Sequence, residues 1–547
     1  SSSGVTVSDG TVHQVFITAA DVILDSELKA KDANVTVQPS NQTVAKMSVG
    51  ANHGGLHLSD AELDRITTTT ILTLGSMQTD EINIDGASHE DTPNDVYIVS
   101  MDKINFLGSA SSFSTRLRAL ADGNIDVSSG VTVTDGTVRF TADAPCSGTG
   151  TLTVTSSGSI TTTNNLLYIQ AHDVVLSGSL NSGTAATHFI GCGKSIDVGG
   201  PGSTTTGTMR VDRSELAKIT STNLTFTATS ASIHVYETQS QDTSTVTDRV
   251  TFNAAKNLVF ADSNVWKSMR GVAPKLNISA DIKTWEDHMV FEATEYYVDS
   301  GVWVQSEIGN IYVEPTSGGS GSMRSETPVT WRSANDVTFE VPMTVFGSGS
   351  IMYQADSDED GAGTVSFSSV ASVTVSDSAV QQIVVTAADV ILEANMKAMQ
   401  ANVTVQVSNH SGSTMSVGAN NGGLHLSDAE LDRITTATTL TLGSLQTDQV
   451  FVDGVSHVDT PADVYIISMN SVEFKGAASS FKTRVGIHAD NDIDVSTGIN
   501  VQDGTLTVVS DADCGGAGTF TVGAVGSITV VNNAVWIQAN DVAITGT

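Results

Sequence analysis

The chain is short of cations. Its 25 Lys and Arg stand against 60 Asp and Glu, a net charge of −35 over 547 residues. Such an acidic surface repels polyanions, which excludes nucleic acid and anionic lipid as partners. No apolar run approaches the roughly 18 residues of a membrane span. Helical periodicity is nearly absent, which excludes a helix bundle. Cysteine is scarce and odd in number, at three.

What the chain does contain is a long repeat. Gly54–Gly75 reads GGLHLSDAELDRITTTTILTLG and returns as GGLHLSDAELDRITTATTLTLG at Gly422–Gly443. Ile66 maps to Ile434, an offset of 434 − 66 = 368 residues, and no gap breaks that register from Asp21 (Asp389) to Asn164 (Asn532). Residues 1–179 and 369–547 are two copies of one segment. Residues 180–368 complete the unit and are seen once. The ungapped repeat and the lack of a linker predict one continuous solenoid rather than several domains. The chain begins without Met and stops inside a unit, so it reads as a window on a longer protein.

Short alternating runs rich in Val, Ile, Thr and Phe dominate, and many follow an Asn or Asp corner. Examples are Asp21-Val-Ile-Leu, Asp95-Val-Tyr-Ile, Asp173-Val-Val-Leu and Asn223-Leu-Thr-Phe. Asn and Asp tolerate left-handed turn geometry and bond their own backbone. Such corners, a few tens of residues apart, predict an all-β parallel β-helix whose coils stack over a continuous core. The one helix signal is the capping-box spacing of Ser59 and Glu62, repeated at Ser427 and Glu430. It predicts a helical turn between a strand at His57 and a strand at Leu72–Leu74, with Glu62, Asp64 and Arg65 solvated or ion-paired.

The repeat also makes sense of the cysteines. Cys514 copies Cys146, and the copy of Cys192 falls past the last residue, so each unit has two. One disulfide per unit, Cys146–Cys192, fits an oxidising compartment. The 46-residue spacing is awkward. Two ordinary coils would separate the pair by about 9–10 Å, whereas a disulfide needs Cα atoms within roughly 7 Å. Pairing therefore calls for one long coil, with the insert expected in Leu180–His188. Asn34, Asn41, Asn223, Asn277, Asn402 and Asn409 head Asn-x-Ser/Thr acceptor sequences for glycosylation.

The single-copy half-unit holds Trp266, Trp285, Trp303 and Trp331 and the Gly/Ser-rich stretches Gly199–Gly207 and Thr316–Met323. The Trp residues are expected to fill a wider core. Asp356, Asp358 and Asp360, ahead of Gly361, have the alternating oxygens of a calcium loop, although Phe367 at the twelfth position is not the Glu of an EF-hand. Calcium is thus the one cofactor the sequence suggests. Catalysis is not expected: His13, His53, His172 and Glu90 become Gln381, Asn421, Asn540 and Val458 in the second copy. His57 and His89 persist as His425 and His457 without a catalytic spacing around them.

The runs Leu58–Ile66 and Leu426–Ile434, each followed by a Leu-Gly strand end (Leu74-Gly75, Leu442-Gly443), resemble a motif of bacterial filamentous-haemagglutinin-type giant adhesins. Gly158–Gly178 is similar to that family's Gly-Ser-Ile and Asp-Val-x-Leu coils. The motif covers some 20 residues per unit and the weaker coil pattern about half the chain. The resemblance implies a right-handed parallel β-helix, secretion to the cell exterior, and adhesive or fibrous work. The 368-residue unit is much longer than that family's repeats. The expectation is a structural or adhesive extracellular fibre protein that self-associates along a fibre and meets cell-surface glycans or matrix. The alternative is a carbohydrate-binding or carbohydrate-active β-helix.

Overall fold

The computed structural model describes residues 4–40, 45–89, 95–201, 209–408, 412–457 and 462–546. The chain divides into two compact units, Ser1–Ala273 and Pro274–Thr547. Both are all-β, with long parallel sheets of the kind a β-solenoid builds.

In the first unit one turn of chain contains three short strands. Asp95–Ser100, Lys103–Phe106 and Ser111–Phe113 make one coil. Leu117–Ala121, Ile125–Val127 and Gly130–Val133 make the next. Each strand pairs in parallel with its counterpart one coil on, as in Val96↔Leu117, Ile104↔Ile125 and Ser111↔Val131. Alternation decides which side chains enter the core. Val96, Ile98 and Ser100 of the first strand are buried, while Tyr97 and Val99 between them face out. In-register pairing then stacks inward residues into columns. One runs Ile98, Ala119, Phe140, Ile169, Phe189, Phe226, Phe252. Phe189 and Phe226 stack at 5.3 Å and Phe226 and Phe252 at 5.8 Å. Burying each such side chain is worth about 1.5–3 kcal/mol.

The second unit repeats this plan from Val380–Ala387 onward. Asn402–Val407, Thr439–Gly443, Asp463–Ser468, Val485–Ala489, Leu506–Ser510 and Val535–Gln538 pair in sequence. Before them, Met289–Val298, Ser322–Ser333 and Met343–Gln354 are longer strands of 10, 12 and 12 residues. Of the Gly/Ser-rich stretch that ends at Met323, only Ser322 and Met323 enter the strand Ser322–Ser333. Trp331 lies in this core, 5.2 Å from Phe339. Trp266 is edge-on to Phe252 at 5.3 Å in the first unit. The expected core role fails for the other two: Trp303 is 48% exposed and Trp285 is half-buried. Both fall on outward positions.

Three α-helical turns occur among the described residues, α1 (Asp60–Leu63), α2 (Arg213–Leu216) and α3 (Asp428–Leu431), besides a 3-10 turn at Ser240–Thr243. Each has a complete capping box, from Ser59, Asp212 and Ser427. The strand before α1 is Leu56–Leu58. The strand after it is Ile66–Thr68, not Leu72–Leu74, which belongs to the following Ile71–Gly75.

The polar residues of α1 bind neighbouring coils. Glu62 Oε1 accepts from Leu24 N at 3.0 Å, and Arg65 Nη1 donates to Leu24 O at 2.7 Å. Asp60 Oδ1 accepts from Ser88 N, in the opposite chain direction, at 2.6 Å. Glu430, Arg433 and Asp428 repeat all three bonds with Leu392 and Ser456. At α2, Glu215 holds Leu176 N at 2.8 Å, while Arg213 pairs with Glu237 and Asp242. The turn is thus a clamp on backbone groups that corners would otherwise leave unpaired.

Glu62 and Glu215 share a geometry and differ in charge environment. Burial pushes Glu62 up, but bonds from the Ser59 hydroxyl, Ser59 N–H and Leu24 N–H outweigh it and hold Glu62 below its usual 4.5. Burial dominates at Glu215, the N–H bonds of Leu176 and Asp212 only partly offset it, and the nearby Asp212 and Asp173 carboxylates add to it. Its pKa is pushed up to about 7. A lowered folded pKa adds stability above the unfolded value, and that stability is lost as pH falls; a raised one removes stability as pH rises. Relative to the parent, Glu215→Gln should gain stability as pH rises from 4.5 through about 7. Glu62→Gln should lose stability as pH rises from below 4.5. Urea unfolding at a series of pH values reads the difference in slope, which the acceptor lost to Gln in both variants does not affect.

Candidate functional site

The acidic loop proposed for calcium follows the strand Met343–Gln354. Asp356 is fully buried, Asp358 and Asp360 are exposed, and one carboxylate oxygen from each lies within 4.8 Å of the others. These three could hold a cation. Asp356, however, already has a structural task. It stands at φ 57° and its Oδ1 accepts from Gly361 N at 3.0 Å, while Oδ2 accepts from the Ser408 hydroxyl.

Two other loops are built the same way. Asp143 and Asp511 also have positive φ, and so do the residues three positions on, Cys146, Glu359 and Cys514. Asp143 accepts from Ser147 N and Gly148 N, and Asp511 from Gly516 N. Each loop closes on a glycine, Gly150, Gly363 or Gly518, where a Cβ would overlap the backbone nitrogen of the same Asp. Asp-x-x-x-x-Gly-x-Gly-Thr is therefore a loop motif seen three times, and only the Asp356 copy adds acids at both 358 and 360. The spacing was readable in the sequence, but the loop's third occurrence was masked by Glu359 in place of Cys.

The same loop explains the cysteines. The structure places Cys146 and Cys192 with Cα atoms 5.0 Å apart and sulfurs at bonding distance. They lie two coils apart: the strand Val138–Thr141 pairs with Leu167–Ala171, which pairs with Thr187–Gly191. The expected insert in Leu180–His188 is absent, for Leu167 meets Thr187 after only 20 residues. Instead Val138 meets Leu167 after 29, and the extra residues are the Asp143 loop. The intervening coil turns at this corner with His172 alone, whose N–H bonds Gly150 O at 3.0 Å. The loop reaches past that narrow corner to Cys192. Cys514 is free and exposed.

The retained histidines are held within the fold. His57 Nε2 bonds Gly50 O and His425 Nε2 bonds Gly418 O, each at 2.9 Å, and His89 and His457 are buried. Among the acceptor asparagines, Asn34, Asn223 and Asn277 are half-buried and Asn402 is exposed. Asn41 and Asn409 lie outside the described residues, as do Glu90 and Val458.

One outer feature was not foreseen. On five consecutive coils of the first unit, Tyr97, Arg118, Arg139, Tyr168 and His188 form a single outward column. The Arg118 guanidinium lies 5.6 Å from the Tyr97 ring centre, and Tyr168 and His188 rings are 4.9 Å apart. Arg139 donates to Gln170 Oε1 at 2.7 Å. Burial pushes the His188 pKa down, which keeps it neutral. The alternation of each strand was readable, but which outward residues stack depends on coil lengths.

Asp356→Ala should cost about 1–3 kcal/mol in denaturant unfolding, because it strands buried donors. Asp358→Ala and Asp360→Ala should stay within about 0.5 kcal/mol when no divalent cation is present. A calcium-dependent rise in melting temperature in the parent, lost in those two variants, would assign a cation to the loop.

No protein-family model, curated protein or solved structure matches this chain.

Proposed function

We propose that the chain is a structural or adhesive segment of an extracellular fibre, built from tandem 368-residue units of right-handed β-solenoid. The observation that carries this reading is the repeated coil clamp. The α1 and α3 turns make the same three bonds to neighbouring coils, and α2 makes the Glu-to-backbone bond again. A chain that spends its most strongly repeated sequence on holding coils together is organised for length and rigidity. The resemblance of Leu58–Ile66 to adhesin repeats points the same way. A Cys146–Cys192 bond suits an oxidising exterior, and the net charge of −35 suits a solvated fibre surface. Self-association along the fibre axis and contact with surface glycans or matrix are parts of this proposal, as is the absence of a catalytic role.

Polypeptides of one and two complete units, compared by small-angle scattering, test the fibre reading. Cross-sectional radius should stay constant while length roughly doubles. Independent compact particles tethered by flexible joints would overturn it.

A further inference from the structure

Acid is missing from one face of a chain that has 60 acidic residues. Seven strands of the first unit pair in register, from Asp95–Ser100 through Leu117–Ala121, Val138–Thr141, Leu167–Ala171, Thr187–Gly191 and Leu224–Ala228 to Val250–Ala254. They contain one carboxylate, Asp95, at the edge, and Arg116 pairs with it at 3.2 Å. Beside the outward column of Tyr97, Arg118, Arg139 and Tyr168 lie the half-buried Leu120 and Ile190. Among the described residues neither Arg118 nor Arg139 pairs with a carboxylate. Arg118 lies over the Tyr97 ring, and Arg139 donates to the Gln170 amide and the Thr141 hydroxyl. Coils stack on both sides of this column, with Thr73 before Tyr97 and Thr225 after His188, so its exposure is that of a covered, continuous sheet. The fold does not require the arginines. At the 368-residue offset Gly486 and Thr507 stand in their place on the same strand pairs, while Asp463 and Arg484 keep the edge pair.

The second unit carries the complement. Met289–Val298, Ile311–Glu314, Val337–Phe339, Thr364–Phe367 and Asp389–Leu392 pair in register and contain no Lys or Arg. Where each paired stretch ends, Glu292, Glu314, Glu340 and Glu393 fall in one column, broken only by Ser368. Like charges stacked on neighbouring strands repel, so the column weakens the fold that carries it. Glu340 and Glu393 are exposed, and neither pairs with a cation among the described residues.

We propose that the Arg118–Arg139 face of one chain docks side by side on the glutamate column of a second copy, guanidinium to carboxylate. Both ladders step by one coil, about 4.8 Å, so rungs of one chain meet successive rungs of the other. A guanidinium fork fits a carboxylate, and the contact covers Leu120 and Ile190 as well. A flexible polyanion does not present its charges at the coil period. Two like faces cannot serve, because Arg would meet Arg and Glu would meet Glu. The contact is therefore heterologous. Each joined chain keeps one face of each kind open, so association continues from chain to chain. The net charge of −35 opposes approach at long range. At about 0.15 M salt the screening length is about 8 Å, which damps that repulsion and spares ion pairs in contact.

This inference goes beyond the fibre reading and does not depend on it, since it concerns contact between chains side by side rather than extension along an axis. Sedimentation equilibrium of the whole chain, up to roughly 0.1 mM, tests it. At about 0.15 M NaCl the mean mass should rise with concentration, and at about 1 M, where the screening length is about 3 Å, it should fall to that of the monomer. Arg118→Glu/Arg139→Glu and Glu340→Lys/Glu393→Lys should each weaken association by about tenfold or more. Mixed, these two proteins should form a one-to-one dimer and stop there, because each retains the face the other has lost. Lys482→Glu, at an exposed residue on neither set of strands, should change nothing. Circular dichroism checks that the variants fold. Arg118→Gly/Arg139→Thr, which installs the second-copy residues, should act like the reversal and keeps the test open if the reversed protein does not fold. A chain monomeric at every concentration, association that both reversals leave intact, or a mixture that stays monomeric would overturn the proposal. So would a sulfated hexasaccharide bound through Arg118 and Arg139 by a chain that stays monomeric. None of these outcomes bears on whether the units form a rod.

Discussion

The stacking of one coil on the next is the constraint on which everything else depends. A strand of three to six residues buries little by itself. Its inward side chains gain a core only when the next coil presents inward side chains at the same positions. The two-residue alternation makes that demand strict, because a slip of one residue would turn every column inside out. Val96, Leu117 and Val138 meet at steps of 21 residues, yet Val138 and Leu167 meet after 29 and Thr187 and Leu224 after 37. In these coils the extra residues go to corners and the strands keep their register, whereas the longer strands of the second unit shift within themselves, as Ser322–Ser333 does against Met343–Gln354 between Thr327 and Val329. The corners are therefore where the fold has room for loops, helical turns and the cysteine pair.

Corners also expose backbone groups, and the residues most strongly repeated in the chain answer that problem. Glu62 and Arg65 take the N–H and the C=O of Leu24, and Asp60 takes the N–H of Ser88. The sequence reading of Glu62 and Arg65 as solvated or ion-paired missed their bonds, and it said nothing of Asp60, because partners 38, 41 and 28 residues away cannot be seen without knowing coil lengths. The α2 turn was missed for another reason. Its Asp212 and Glu215 have capping-box spacing, and Leu216 and Ile219 fall where Leu63 and Ile66 do. Arg213-Ser214 in place of Asp60-Ala61 hid the likeness. The half-unit seen once in sequence is thus partly a divergent echo of the half seen twice.

Fold class was legible because alternation and Asx corners are local. The sites were less so. The Asp356 loop looked like a cation loop when read alone, and its likeness to the Asp143 and Asp511 loops gives Asp356 a backbone task first. The cysteine pair was readable from the repeat count, but the insert that permits it was assigned to the wrong coil: nothing in Leu180–His188 or in the Asp143 loop says which corner is wide. The outer faces were not legible at all. The contrast between Arg118 with Arg139 and Gly486 with Thr507 becomes a contrast of shape only once the register aligns them. A repeat fold can thus hold its core constant and change its surface unit by unit.

In-register parallel stacking is tested most directly by cross-linking across one coil. Thr225 and Thr251 are partners on adjacent strands and both face outward. At a strand spacing of about 4.8 Å they are within disulfide reach. In a Cys514→Ser background, the Thr225→Cys/Thr251→Cys protein should form an intramolecular disulfide, detected by peptide mass spectrometry. Thr225→Cys/Phe252→Cys, one residue out of register and facing the core, should not. Equal cross-linking of the two pairs, or none in the first, would contradict the account.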